Sequence, residues 1–253
     1  MNRIIVFALM FFCMTMQIEA QTLSEEEVTA KMYQAFELNK AAKKAEALEL
    51  FLIVGENTKQ QRNEGERQVY VCSQTMACQC YELLGRYKEG YLLGKSLLQG
   101  KLNDTERKDV GHLYAMNGYM YACEFIQRDE KGRADYKRGR ELISEILPYS
   151  DGQVKEYAET KIPLSWYFEG AQYAMTQSYD EALSSYEEAL NGFRDLGRVS
   201  EEVDVLSGIA SVKAHLCKFD EAKRVYYQAF VLAHQNGKVN KQMDVLRELW
   251  SLG

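Results

Sequence analysis

Proline is nearly missing from this chain, which has two prolines and 17 glycines in 253 residues. Few positions therefore interrupt a helix, and no stretch alternates polar and apolar residues as a half-exposed strand would. Alanine, leucine, glutamate and lysine, which favour helices, are frequent throughout. The composition predicts an all-α fold.

Catalytic and cofactor-binding motifs are also missing. The sequence has no G-x-S-x-G, no H-E-x-x-H and no phosphate-binding loop. Its three histidines, His112, His215 and His234, are scattered, and the cysteine spacing 72-x5-78-x-80 fits no standard zinc site. We therefore expect no enzyme activity, no cofactor and no metal. Cys78 is expected to be a small core residue, with residues 78 and 80 on different sides of one helix.

The charge of the chain is not strongly basic. The formal net charge is −6, and both signs are interspersed along the sequence. Nucleic-acid partners usually require a basic face, so none is expected here.

The first 20 residues resemble a secretory signal peptide. Arg3 forms a short positive region, residues 4–14 are continuously apolar, and Ala20 provides a small residue for cleavage before Gln21. The apolar run is shorter than the roughly 20 residues that span a bilayer. We expect an exported, periplasmic or secreted protein with no stable membrane insertion after cleavage; the alternative is an uncleaved anchor.

Residues 165–190 (SWYFEGAQYAMTQSYDEALSSYEEAL) contain two amphipathic helical patterns around a short polar break. This stretch resembles a tetratricopeptide repeat (TPR), in which W-x2-L-G-x2-Y is followed by A-x3-F. Glu169 replaces the usual leucine. The signature residues, here and in the copy that follows, are Trp166, Gly170, Tyr173, Ala182, Tyr186, Ala189, Ala222, Tyr226 and Ala229.

The pattern repeats every 40 residues. YDEA at 179–182 recurs as FDEA at 219–222, and Gly197 recurs as Gly237, at a position that suits a helix stop. The resemblance, to an exported bacterial TPR protein with extended repeats, implies an α-solenoid of antiparallel helix pairs over residues 21–253. The units are placed near 28–61, 71–104, 111–149, 163–197 and 203–237, followed by a terminal helix at 240–253.

Three local features accompany this division. Residues 127–134 are an insertion relative to the later units, and residues 150–153 resemble a helix start. Pro163 is expected in the first turn of the following helix, where proline is tolerated. The terminal helix is expected to dock on the preceding repeat while leaving part of its apolar surface as an exposed edge.

The resemblance also implies a concave binding face lined by the first helix of each unit. The positions that face such a groove are Thr75, Gln79, Glu82, Ala115, Tyr119, Ala122, Tyr167, Ala171, Ala174, Ser207, Ser211 and Ala214. They lack the lysine and asparagine residues that capture a C-terminal carboxylate. Tyr119 and Tyr167 are therefore expected to anchor an apolar or helical segment, although both could instead be core residues between repeats.

The predicted function is that of a protein-interaction scaffold whose partner is a protein or peptide. The alternative is the sensor-side fragment of a larger membrane-associated bacterial signalling protein. The sequence leaves the oligomeric state open.

Overall fold

A computed structural model describes residues 23–127 and 134–252. Within these ranges the chain forms eleven α-helices and one short 3-10 helix, Leu147–Tyr149, with no strand, which confirms the predicted all-α fold. The helices are α1 Glu25–Lys40, α2 Lys44–Thr58, α3 Glu64–Leu83, α4 Tyr87–Leu98, α5 Asp104–Ile126, α6 Tyr136–Ile146, α7 Gly152–Met175, α8 Tyr179–Asp195, α9 Val199–His215, α10 Phe219–Gln235 and α11 Val239–Ser251. The predicted signal peptide lies outside the described residues, as does most of the predicted insertion.

Consecutive helices pack as antiparallel pairs, α1 with α2 through α9 with α10, and each pair packs on the next. From α3 onward, successive first helices (α3, α5, α7, α9 and α11) also pack against one another. No comparable packing joins successive second helices among the described residues. The first helices therefore lie on the inner side of the array, as the predicted α-solenoid requires.

Helix ends follow local sequence signals. The Ser24 side chain accepts a hydrogen bond from the Glu27 amide, and Glu27 accepts one from the Ser24 amide, which forms a capping box at the start of α1. Gly197 and Gly237 stop α8 and α10 with φ of 64° and 66°. Glycine adopts this left-handed conformation without steric cost, so the two residues act as the predicted helix stops.

The signature residues form the close contacts of the C-terminal half. The Tyr186 ring lies between Gly170 of α7 and Gly208 of α9, and a methyl group at either glycine would lie within 3 Å of the ring. The other signature positions on the second helices, Ala182, Ala189, Ala222, Tyr226 and Ala229, are buried there as well. Tyr173 is half-buried against the same cluster. Small residues thus let the helices approach while tyrosines fill the space beside them.

Glu169, which departs from the usual leucine, has a partner from the preceding unit. Arg140 of α6 donates a hydrogen bond to Glu169 across 2.8 Å. The same guanidinium lies 3.3 Å from the centroid of the Trp166 ring. A cation held over an aromatic face and paired with a carboxylate compensates for the lost apolar contact. The substitution therefore joins α6 to α7 instead of weakening the repeat.

The expected position of Pro163 is wrong. A helix does begin at residues 150–153 as predicted, but it continues unbroken as α7, so Pro163 lies in its interior. Proline there removes one backbone hydrogen bond and crowds the preceding turn. The ring is accommodated because it packs over Gly192 of α8, where any side chain would lie 2.8 Å from the proline Cβ.

The terminal helix α11 docks as expected. Val245 is buried against the preceding repeat, and Leu249 packs against the same cluster. Leu246 and Trp250 point away from the array and are exposed.

Candidate partner-binding face

The face under consideration is the inner surface formed by the first helices. Its N-terminal part contains Gln79, which is exposed, and Glu82, which is half-buried on α3. Burial raises the pKa of Glu82, and the nearby His112 of α5 opposes that rise. This part of the face is polar and carries a partly desolvated carboxyl group.

The middle of the face is aromatic. Tyr119 of α5 stacks against Tyr157 of α7, with ring centroids 6.3 Å apart and planes at 26°. Burial raises the pKa of Tyr119 well above its usual value. Tyr157 is 48% exposed, and its hydroxyl accepts a hydrogen bond from Gln153. The pair thus presents aromatic surface from two adjacent first helices.

Two neighbouring positions do not face the groove. The predicted groove residues Ala115 and Ala122 are fully buried. Both belong to the core cluster in which α5 meets its neighbours. The Ala122 carbonyl approaches Gly139 of α6 so closely that a methyl group on Gly139 would lie 3.2 Å from it. These alanines permit helix packing, so their assignment to the groove is wrong.

The C-terminal part of the face contains Tyr167, Ala171 and Ala174 of α7, all half-buried against the core. The Tyr167 ring lies 5.8 Å from that of Tyr186, so the alternative that it contributes to the core between repeats is partly correct. Burial raises the pKa of Tyr167, with a further rise from Asp204. Burial raises the pKa of Tyr186 to about 12.

Polar groups beside this part of the face are already satisfied. Lys241 of α11 donates to Asp204 of α9 across 2.7 Å. The Ser207 hydroxyl donates to the Val203 carbonyl, and Ser211, half-buried like Ser207, uses its carbonyl oxygen to contact the His215 ring. Because its hydroxyl already has a partner, Ser207 contributes shape rather than open hydrogen-bonding capacity to this part of the face.

The repeat pattern did not predict Tyr157 and Phe168 as surface aromatic residues. Phe168 is exposed, and together with Ile126, Gln127, Tyr136 and Lys161 it lines a cavity of about 420 Å³ between α5, α6 and α7. Placing the start of the fourth unit at residue 163 left Tyr157 outside any repeat. The predicted helix start at residues 150–153 was the signal that could have placed Tyr157 in the first helix of the fourth unit.

The described residues contain neither a cluster of metal-ligating side chains nor a disulfide. In that part of the chain no three metal-ligating side chains come together, and the five cysteines there are free. Cys78 packs with Leu97 and Val110, whereas Cys80 packs in the cluster of α1 to α3, so the two point to different sides as predicted. Among the described helices, none is long and apolar enough to cross a bilayer.

Comparison with known proteins identifies similar folds only among solved structures. No protein-family model and no curated protein matches the chain. A TPR protein of Thermus thermophilus is 17% identical, with a TM-score of 0.34 and coverage of 89% of this chain and 98% of the other. The apo form of RapI is 14% identical, with a TM-score of 0.35 and coverage of 84% and 72%.

A third similar structure consists of nearly identical TPR-like repeats from Podosopora anserina. It is 13% identical, with a TM-score of 0.34 and coverage of 83% of this chain and 96% of the other. Two of these three structures thus carry TPR or TPR-like repeats, the family that residues 165–190 resemble. At this level of similarity, the assignment of the solenoid rests on the helix pairs themselves.

Proposed function

We propose that this chain is a protein-interaction scaffold that binds a segment of a partner protein along its first helices. The observation that carries this proposal is the half-exposed Tyr119–Tyr157 stack on the inner face. Tyrosine offers a large contact area with few rotatable bonds, and it is enriched among residues that dominate binding energy. The chain acts by binding rather than by catalysis, with no cofactor and with protein rather than nucleic acid as its partner.

The chemistry of the face favours an apolar segment. Burial raises the pKa of both Tyr119 and Tyr167, so these phenols stay neutral and poorly hydrated. Covering such surface costs little desolvation of charge. The nearby Asp204–Lys241 pair is already formed, and it serves as a polar rim. An amphipathic helix that lays its apolar side on α5 and α7 fits this distribution.

Photo-crosslinking tests the location of the site. A photoreactive phenylalanine analogue replaces Tyr157 on the inner face or, as the matched control, Tyr227, which is 63% exposed on the second helix α10. Purified variants are irradiated in an extract of the native source, and the adducts are identified by mass spectrometry. We expect one dominant partner from position 157 and none from position 227.

Alanine variants test the energetic contribution of the same residues. Tyr119→Ala, Tyr157→Ala and Tyr167→Ala are expected to weaken binding of the captured partner at least about tenfold. Tyr227→Ala is expected to leave it unchanged, and circular dichroism checks that every variant stays folded. Equal adduct formation at positions 157 and 227, or unchanged affinity of all three folded inner-face variants, would overturn the proposal.

We place this function outside the cytoplasm, on the pattern of residues 1–20, which lie outside the described ranges. No contact or cavity in the described residues favours the second interpretation, a sensor-side fragment of a larger signalling protein. The scaffold function is therefore the one that the geometry supports.

A further inference from the structure

The last helix, α11, carries an unpartnered apolar stripe. The stripe consists of Val239, Met243, Leu246 and Trp250, which are 64%, 57%, 43% and 89% exposed. Their spacing of four, three and four residues places them on one face of the helix. It is also the spacing of the apolar seam through which two helices pair side by side.

The same positions are covered one repeat earlier. Forty residues before Met243, Leu246 and Trp250 stand Val203, Leu206 and Ala210 of α9, all buried in the core cluster formed by α8 to α11. Val199, forty residues before Val239, is half-buried. The stripe is thus the helix face that elsewhere in the array receives a second helix. On α11 this face is open to solvent among the described residues.

The bulk of Trp250 restricts which partner can pack on this face. It occupies the repeat position of Gly170 and Ala210, where helices approach most closely. At Gly170 even a methyl group would lie 2.8 Å from Tyr186 of the paired helix. A helix packed on α11 as α8 packs on α7 would therefore collide with the indole. The occupant has to leave room for a large side chain at one end of the stripe.

We propose that the occupant is a second copy of this chain, with the two α11 helices packed antiparallel about a two-fold axis between positions 244 and 245. This arrangement places Val239 opposite Trp250 of the second copy, and Met243 opposite Leu246 of the second copy. The largest side chain of the stripe then meets the smallest, in both halves of the interface. A parallel pair would instead set tryptophan against tryptophan and leave a gap at the valines.

Charges around the stripe fit the same arrangement. Lys238, which is exposed at the start of α11, lies beside the last turn of the other α11, near Ser251. The carbonyl end of a helix attracts a cation. Arg247 flanks the seam opposite the neutral Asn240 of the second copy, so no like charges meet there. The sequence of α11 is therefore complementary to itself in this orientation.

The area of the interface determines the expected affinity of the dimer. Covering the stripe on both copies removes on the order of 1,000 Å² of surface from water, near the lower limit for a specific interface. The dimer is therefore weak, forming at roughly ten to one hundred micromolar chain. The stripe lies on α11 and includes no residue of α5 or α7, so the proposed dimer does not depend on the function proposed above.

Sedimentation velocity over about 1 to 500 µM chain tests the association. We expect a shift from monomer to dimer with rising concentration. Trp250→Glu and Leu246→Glu are expected to raise the dissociation constant at least about tenfold. Both side chains point into solvent, so the variants should stay folded, as circular dichroism will verify. Tyr33→Glu, an exposed aromatic position on α1, is the matched control and should dimerise like the parent chain.

Disulfide trapping tests the orientation. The exposed Cys72 and Cys217 are first replaced by serine, and Val239→Cys and Trp250→Cys are made as separate chains. Mixing the two chains under mild oxidation should give a crosslinked heterodimer and little of either homodimer. In the antiparallel arrangement, residue 239 of one copy lies far from residue 239 of the other, and the same holds for residue 250. Preferential 250–250 crosslinking would overturn the antiparallel arrangement. A chain that remains monomeric at the highest concentration would overturn the dimer.

Discussion

Tyr114 donates a hydrogen bond to the Glu145 carboxylate across 2.6 Å, between helices α5 and α6. The second carboxylate oxygen accepts from Tyr91 of α4 at 2.9 Å, and Lys95 of α4 pairs with the same group at 2.7 Å. One carboxylate thus connects three helices that belong to two successive helix pairs. Such a charged acceptor is stronger than a neutral one and fixes how the pairs stack.

Replacement of Glu145 by glutamine should loosen this junction. Glu145→Gln removes the charge that Lys95 and both tyrosines contact, and we expect the free energy of unfolding to fall by about 1–2 kcal/mol. Urea denaturation, monitored by circular dichroism, measures this free energy. Glu141→Gln is the matched control, because Glu141 makes only a half-exposed pair with Arg138, and it should change stability by less than about 0.5 kcal/mol. Equal effects of the two changes would contradict the assigned role.

The same carboxylate predicts a dependence of stability on pH. Burial alone raises the pKa of Glu145, but the bonds from Lys95, Tyr114 and Tyr91 outweigh it and hold the pKa below the ordinary 4.5. A carboxyl group with a lowered pKa in the folded state stabilises the fold fully above its unfolded pKa, and this contribution is lost as the pH falls through the folded pKa. The stability difference between the parent and Glu145→Gln should therefore shrink below about pH 4.5. A difference that stays constant down to about pH 3 would contradict this assignment.

The repeat architecture could be predicted from the sequence because the residues at close helix contacts recur at a fixed spacing. Tyr186 recurs as Tyr226, and Ala182 recurs as Ala222, so the 40-residue spacing of these contact residues identifies the helix pairs. The contacts of Glu145 follow no such spacing. Its partners Tyr91 and Tyr114 lie 54 and 31 residues before it in the sequence, on other helices. Tyr157 was missed for a related reason, because it lies in an extension of α7 that the repeat period does not include.

The predicted signal peptide can be tested directly. Expression of the whole chain in a bacterial host with a functional secretion system should give an exported protein whose N-terminus is Gln21, because cleavage follows Ala20. N-terminal sequencing and intact mass measure this. Ala20→Arg is the control and should block cleavage at that bond. Export with the first 20 residues retained in the parent chain would favour the uncleaved anchor instead.

Thiol labelling should separate the cysteines by burial. Cys217 and Cys72 are exposed, but burial of the Cys72 sulfur raises its pKa, so Cys217 should react first with a maleimide at about pH 7.5 and Cys72 second. Burial raises the pKa of Cys78 to about 12, and Cys80 and Cys123 are also buried. These three should label only in denaturant. Mass spectrometry of digests over time gives the order, with Cys217→Ser as the control that removes the fastest site.

Gly170→Ala tests the close approach that underlies the repeat pattern. Alanine normally stabilises a helix interior relative to glycine by roughly 0.5–1 kcal/mol. Here the added methyl would lie 2.8 Å from the Tyr186 ring, which Gly208 confines on its other side. We therefore expect a net loss of about 1–3 kcal/mol in the free energy of unfolding, because the ring has no space into which to move.

Gly111→Ala provides the matched comparison for that change. Gly111 is also a helix-interior glycine, in α5, but a methyl group there would lie 3.4 Å from the Tyr149 ring, and Tyr149 is 41% exposed. Its ring can shift outward, so the helix preference should dominate and Gly111→Ala should leave stability unchanged or slightly higher. The opposite signs of the two changes, measured by thermal and urea denaturation, distinguish crowding at Tyr186 from a general effect of glycine. A stabilising Gly170→Ala would show that the Gly170–Tyr186 contact does not set the distance between α7 and α8.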